Sequence, residues 1–448
     1  MNQEHSQEDS QFALLRSRYF LPYFITQFLG ALNDNVFKNA MVIVLAYRGG
    51  SILGLSGPIL INLAAALFIL PYIFLSASAG QWADKFEKTG LMRWVKLAEI
   101  GIMLLGAVGF ISNRAELLFI ALFLMGCHST VFGPAKYALL PQHLKSTQLV
   151  GANGLVEMGT FLAILLGTLL GGGLVASHEI GVLPICIATL FLAMAGYISC
   201  RWIPLAPSAD PDLKLNANLL GETWRNILVA QRDRTMWMAL LANSWFWFYG
   251  ATFLTQFPSY AKEILNGDET VTVLLLAALS AGIGVGSLLC ERCSKQGINL
   301  GLVILGLVGM TVCAGVLPLI SSAIEPTANT PLPSIGVIVF LLSPIGVAII
   351  LTLIGMGLSA GIYIVPLYAF IQSRSDPKQV SRMIAANNVM NAFAMILSSV
   401  MAILLFSWGA SILNVFQACA LATAIFAVVL WFAAPEYSRA LRAWFSAK

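Results

Sequence analysis

The feature that most constrains this chain is a succession of apolar runs, each about 20 residues or longer, enough for a helix to cross a bilayer. They lie near 19–47, 56–80, 91–112, 116–138, 150–175, 181–202, 236–262, 270–291, 298–322, 345–371, 383–407 and 411–434. A span in lipid must satisfy its backbone hydrogen bonds internally, so all twelve read as helices. The sequence therefore predicts an all-α membrane protein. Composition agrees, with 58% of the 448 residues hydrophobic and 10% charged, against about 25% charged in soluble domains. A shorter apolar stretch, 334–342, reads as lying in the outer interface or extending the tenth span.

Basic residues set the orientation. With a cytoplasmic N-terminus, twenty-one of the 25 Lys and Arg residues fall on cytoplasmic segments. Only Arg48, Arg114 and Lys262 fall outside, and Lys38 falls within the membrane. This bias predicts that both termini are cytoplasmic. The net charge of +4 reflects the same bias and gives no reason to expect a nucleic-acid partner. No cleavable signal peptide is expected, because residues 1–10 are polar and the first apolar run is too long for a signal core.

Polar residues interrupt the first span at Gln27, Asn33, Asp34, Asn35 and Lys38. A charge near mid-bilayer costs about 2.5–3.5 kcal/mol, so it is kept where it faces a cavity or a partner. Asp34 and Lys38 are four apart, share a helix face and partly neutralise each other. Gln27 and Gly30 extend that face toward the cytoplasm. Two readings stay open: a polar wall along a transport path, or a buried pair locking two helices.

Other candidates are scattered. Cys290 and Cys293 form a lone C-x-x-C without a second pair or a nearby His, and His5, His128, His143 and His178 do not cluster. No metal site and no cofactor are expected. Arg93, Lys96 and Glu99 step by three along the third span and read as anchors near the inner interface. Asn387, Asn388 and Asn391 share one face of the eleventh span, either lining a cavity or joining helices. Lys136 and Glu157 read as a cytoplasmic gate pair, with a snorkelling Lys136 as the alternative. The cluster from Trp245 to Tyr249 reads as core packing or as a surface beside an acyl chain.

The longest inner loop divides the spans six and six. It predicts a half over 1–203, a linker over 204–235, a second half over 236–435 and a tail over 436–448. Within the linker, Leu219, Leu220, Trp224, Ile227 and Leu228 recur at helical spacing against Glu222, Arg225 and Arg232. Such a helix lies on the inner membrane surface or binds a partner. A faint repeat relates the halves. Pro134 and Tyr137 precede Ala152-Asn153 and Glu157, as Pro366 and Tyr368 precede Ala386-Asn387 and Asn391. Parallel repeats with a midplane substrate site are one known transporter plan.

The loop after the second span reads Gly80-Gln81-Trp82-Ala83-Asp84-Lys85-Phe86-Glu87-Lys88. It resembles the G-x-x-x-D-[RK]-x-G-[RK]-[RK] signature of the major facilitator superfamily, with Glu87 where the signature has Gly. Gly80 allows close helix approach, and Asp84 is suited to accept hydrogen bonds from a neighbouring helix N-terminus. The resemblance implies that Asp84 and Lys85 help close the cytoplasmic side. An ordinary solvated charge run is the alternative.

A narrower resemblance covers most of the chain. The stretch from Gln27 to Asn39, Pro134-Ala135-Lys136-Tyr137 and the stretch from Gly151 to Glu157 look like the bacterial lysophospholipid transporter family. The first is especially similar to the permease part of fusions with an acyltransferase and an acyl ligase. The resemblance implies a major facilitator fold in a bacterial inner membrane. It also implies movement of lysophosphatidylethanolamine and lysophosphatidylglycerol from the outer to the inner leaflet for reacylation, by a monomer. Gln27, Asn33, Asp34, Asn35 and Lys38 would contact the head group, with Tyr363, Asn387 and Asn391 on the opposite wall. Some members pair the first-span acid with a seventh-span Arg, but residues 245–256 here contain no cation. Two rivals remain: a proton-coupled exporter of drugs or siderophores, using Asp34 or Glu157, and a non-transporting subunit anchoring a cytoplasmic acyltransferase. No nucleophile elbow, His-rich motif or catalytic acid pair points to an enzyme.

Overall fold

A computed structural model of the chain describes residues 10–47, 57–176, 182–294, 297–324 and 334–446. Arg48, Lys295, Lys448, His5, His178 and most of the polar N-terminal stretch lie outside the described residues. All twelve expected spans are helices: α1 (Leu21–Tyr47), α2 (Gly57–Lys85), α3 (Lys88–Ser112), α4 (Ala115–His143), α5 (Leu149–Ala176) and α6 (Leu183–Arg201) precede the linker helix α7 (Leu219–Gln231). After it come α8 (Arg234–Ser259), α9 (Glu269–Ser294), α10 (Gly301–Ser321), the short α11 (Val337–Leu342), α12 (Pro344–Arg374), α13 (Val380–Ser407), α14 (Ile412–Ala433) and α15 (Pro435–Ser446). Ten are apolar enough to cross a membrane by composition alone, and α1 and α8 are not among them. In α1 the reason is Asp34, Lys38 and their amide neighbours.

The stretch 334–342 does not extend the tenth span. Ser343 is extended, with φ −85° and ψ 135°, which ends α11 before Pro344 opens α12. Pro is suited to a first helical position, where its missing N–H is not needed.

The chain divides into two compact units. One comprises Met1–Ala152, Leu162–Arg232 and Ile371–Val389, the other Asn153–Phe161, Asp233–Phe370 and Met390–Lys448. In the first, α1 packs on α6, α6 on α3, α3 on α4, and α4 on α2. Phe37, Met41, Met103, Phe110, Leu122 and Ile185 belong to its buried core. Small residues set the closest approach, as expected where lipid gives no hydrophobic drive between helices. A Cβ at Gly167 would stand 2.9 Å from the Leu32 carbonyl, and one at Gly171 would stand 2.7 Å from that of Val36. These two glycines, one turn apart on α5, let its backbone lie against α1.

The second unit repeats the device reciprocally. A Cβ on Gly282 or Gly286 of α9 would meet the carbonyls of Ile354 or Leu358 at 2.4 and 2.1 Å. One on Gly357 or Gly361 of α12 would meet those of Leu279 or Ile283 at 2.2 and 2.3 Å. Each helix therefore inserts two glycines into the other. Elsewhere in this unit, Tyr249 donates its hydroxyl to the Met310 carbonyl at 2.9 Å. Trp245 stacks on Phe426 at 4.6 Å between centroids, so the aromatic stretch of α8 is packed against α14.

Candidate functional site

The first unit contains two polar centres, both built on α2 and its neighbours. The deeper one starts from the polar face of α1. Asp34 Oδ2 accepts from Ser129 Oγ of α4 at 2.7 Å. Ser129 also stands beside the Tyr72 hydroxyl of α2. One turn along α1, the Lys38 ammonium lies 5.6 Å from the Phe68 ring centroid, within cation–π range. Phe68 and Tyr72 are themselves one turn apart on α2. Asp34 and Lys38 are both half-buried, and no carboxylate lies within ion-pair distance of Lys38 among the described residues. The expected neutralisation of Asp34 by Lys38 is therefore not a direct ion pair. The result is one acid and one cation, a turn apart, beside two aromatic rings.

Behind this face lies a fully buried charged cluster. Lys96 and Glu99 of α3 pair with each other, and neither side chain is exposed. Glu99 Oε1 accepts from Asn33 Nδ2 at 2.7 Å, and its Oε2 lies 3.3 Å from His128 Nε2. The reading of Lys96 and Glu99 as interface anchors is thus overturned, because a snorkelling group would be solvated at its tip. Lys96 is held in the helix core instead, near the Phe132 ring. Gly30 and Gly196 make the space: a Cβ on Gly30 would come 3.0 Å from Lys96 Nζ, and one on Gly196 would come 3.0 Å from its Cε. Gly30 therefore serves the charged cluster rather than the face of Asp34. Arg93 donates to the Arg201 and Ile203 carbonyls at 3.3 and 3.2 Å, which ties α3 to the end of α6.

Remaining α1 candidates divide by face. Asn35 Nδ2 bonds the Ala31 carbonyl of its own helix at 2.8 Å. Gln27 Oε1 accepts from Lys136 Nζ at 3.3 Å, which joins α1 to α4 near their shared end. Lys136 also lies over the Tyr137 ring.

The second centre is at the end of α2. Asp84 accepts from the backbone N–H groups of Ser381 and Arg382 at 3.1 and 3.2 Å, at the start of α13. An acid at a helix N-terminus meets the positive end of the helix dipole. Arg382 Nε adds a charged bond to Asp84 at 3.1 Å, and its Nη2 reaches Asp210 Oδ2 in the linker at 3.3 Å. Gly80 is required here, since a Cβ would stand 2.9 Å from the Arg382 Cα. Lys85 donates to the Leu213 carbonyl at 2.7 Å. Glu87 caps α3, accepting from Thr89 and Gly90 N–H groups at 2.9 and 2.5 Å and from Ala206 N–H at 2.8 Å. The departure from the signature at Glu87 therefore has a local structural purpose.

Asn387 and Asn388 are buried in the first unit's part of α13. In the second unit, Asn391 Oδ1 accepts from Ser244 Oγ at 3.0 Å, and the Tyr363 hydroxyl donates to the Ala242 carbonyl at 2.7 Å. Both bonds join α8 to its neighbours. Glu157 is buried in the α5 segment assigned to that unit. Sequence reasoning missed Ser129, His128, Arg382 and Asp210. Glu99 carries a signal, an acid three residues from a Lys inside an apolar run, but the sequence does not show that both face the helix core. The others are single polar residues whose partners lie far away in sequence.

A family model described as Major Facilitator Superfamily matches residues 23–339. The lysophospholipid transporter LplT of Serratia proteamaculans is 27% identical over 386 residues, covering 86% of this chain and 87% of that protein. LplT of Klebsiella pneumoniae is 28% identical over 400 residues, with the same coverage. Among solved structures, the human organic anion transporter MFSD10 (TETRAN) superposes with a TM-score of 0.71 at 12% identity, covering 93% of this chain and 98% of that one. That likeness is one of fold.

Proposed function

Because this chain belongs to the Major Facilitator Superfamily, we propose that it is a lysophospholipid transporter working by alternating access. The relatives bearing that name align with 86% of its length, and they are named as transporters, not enzymes. The observation that carries the reading is half-buried Asp34 on Ser129 beside Tyr72, with half-buried Lys38 one turn away over Phe68. A lysophospholipid has a charged head and one acyl chain. Lys38 meets the phosphate, which three ammonium donors suit, and Asp34 meets the ethanolamine ammonium or the glycerol hydroxyls. In this reading Gln27 and Asn35 belong to the same α1 site, Asn33 supports it from behind through its bond to Glu99, and Tyr363, Asn387 and Asn391 are further candidate substrate contacts.

Asp84, Lys85, Lys136 and Glu157 form the cytoplasmic gate in this reading. The Asp84 bonds to the start of α13 support it, since they join elements far apart in the chain. The protein is a multi-pass membrane protein. We place it in the bacterial inner membrane with both termini cytoplasmic, on the distribution of Lys and Arg, and with residues 204–235 linking two six-helix halves. The substrate then passes from the outer to the inner leaflet, where a cytoplasmic acyltransferase acts on it.

Uptake of labelled lysophosphatidylethanolamine into spheroplasts lacking other flippases tests this function. Arrival in the inner leaflet only when the protein is expressed supports it. No arrival, from protein shown to be folded and with or without an ion gradient, rules it out.

A further inference from the structure

The linker helix α7 is turned the opposite way from an amphipathic helix on a soluble protein. Glu222 and Asn226 face the protein, Glu222 only 2% exposed, and Ala230 is buried beside them where α7 packs on α2. Its apolar positions face outward, with Leu220 64% and Trp224 62% exposed and Leu228 one turn further on. Exposed Arg225 and Arg232 flank that stripe, and Lys214 and Arg234 stand exposed near its two ends. An apolar stripe with Trp, bordered by basic side chains, is suited to the boundary between headgroups and acyl chains. The neighbouring ends of α2, α3 and α6 expose Trp82, Phe86, Trp94 and Trp202, as helix ends do at a membrane interface.

The buried side of α7 leads to the Asp84 centre. Glu222 Oε2 accepts from Asn216 Nδ2 at 3.3 Å. The Asn216 backbone is held by the Gln81 amide in both directions, at 2.7 and 3.2 Å. A few residues earlier, the N–H groups of Ala209 and Asp210 donate to the Asp84 carbonyl at 2.9 Å each. Asp210 holds Arg382, which holds Asp84. One continuous strap therefore runs from α7 to the contact between α2 and α13.

We propose that α7 is an in-plane helix that binds anionic phospholipid on the cytoplasmic leaflet and, through residues 209–216, steadies the Asp84–Arg382 contact. The apolar stripe supplies insertion. The arginines supply the preference for an anionic surface, each worth about fivefold in binding. Lipid charge then sets how long the cytoplasmic side stays closed. This goes beyond substrate choice and holds whatever the chain carries.

Hydrogen exchange on the full chain in nanodiscs tests it without a transport assay. Nanodiscs of phosphatidylcholine alone are compared with ones that also contain phosphatidylglycerol. Amides of residues 213–232 should exchange more slowly with phosphatidylglycerol, and those of Ser381 and Arg382 should slow with them. Arg232→Gln, at an exposed position without an ion pair among the described residues, should reduce the effect at both places about fivefold. Trp224→Ser should remove a component of Trp emission that brominated acyl chains quench. Identical exchange in the two nanodiscs overturns lipid recognition. Slowing of α7 without slowing at Ser381 and Arg382 overturns the coupling. Protection that rises with protein concentration overturns the proposal by assigning the stripe to a second copy.

Discussion

Arg382 Nε stands 3.1 Å from Asp84 Oδ2 in a site where the carboxylate is unexposed and the guanidinium nearly so. Three donors, two from backbone and one from Arg382, therefore converge on one acid at the end of α2. Removing either side chain leaves the other charge without its partner, and Asp210 is the neighbour that softens the loss for Arg382.

A double-mutant cycle over Asp84→Ala and Arg382→Ala should give a coupling energy of about 1–3 kcal/mol. Detergent-titrated unfolding of the purified protein measures it. Additive single mutants would mean that the pair contributes nothing beyond its separate backbone contacts.

For the cluster behind α1, the asymmetry between single and double substitution is diagnostic. Lys96→Met or Glu99→Met should each destabilise by about 3–5 kcal/mol, because an uncompensated charge stays buried. Lys96→Met combined with Glu99→Met should cost less than the sum, since an apolar pair needs no compensation. Thermal unfolding of the three variants separates the cases. A double variant as unstable as the sum would argue against a mutual pair.

Lys38→Ala should leave the fold intact and reduce lysophospholipid uptake about ten- to hundredfold, the loss expected for a charge-assisted bond to phosphate. Lys38→Arg should retain part of the activity. Unchanged uptake in folded Lys38→Ala would move the phosphate contact elsewhere.

Close helix approach in the second unit is open to a steric test. Gly286→Val puts a Cβ where the Leu358 carbonyl stands 2.1 Å away, and it should destabilise by at least about 1–3 kcal/mol. Gly250→Ala, with nothing within 4 Å of the new atom, should be neutral or stabilising by up to about 1 kcal/mol. Equal unfolding midpoints for the two variants would sink the argument.

The twelve spans were legible because lipid imposes one length and one period on every crossing segment. Helix ends were less so, as α2, α4 and α12 run beyond their apolar runs into polar turns. Asp84 was readable with its kind of partner, since an acid after a span suits a helix N-terminus. Its actual partners were not, because Ser381 and Arg382 lie almost 300 residues away. Lys96 was misread because hydropathy reports depth along a span and says nothing about which way a side chain faces. Gly30 and Gly196 settle that direction only once both helices are in place. Tyr363, assigned to a substrate wall, has its hydroxyl on the Ala242 carbonyl, a bond that no sequence pattern announces.

The pairing of Lys96 with Glu99 inside one helix has a consequence for biosynthesis. Both charges arrive on the same turn, so α3 can leave the insertion machinery already neutralised, before α4 and α6 are made. Asn33 is waiting on a helix made earlier, whereas His128 and Gly196 belong to helices still to be translated. The charged core is thus assembled in the order of synthesis, starting from a pair that is tolerable in lipid on its own.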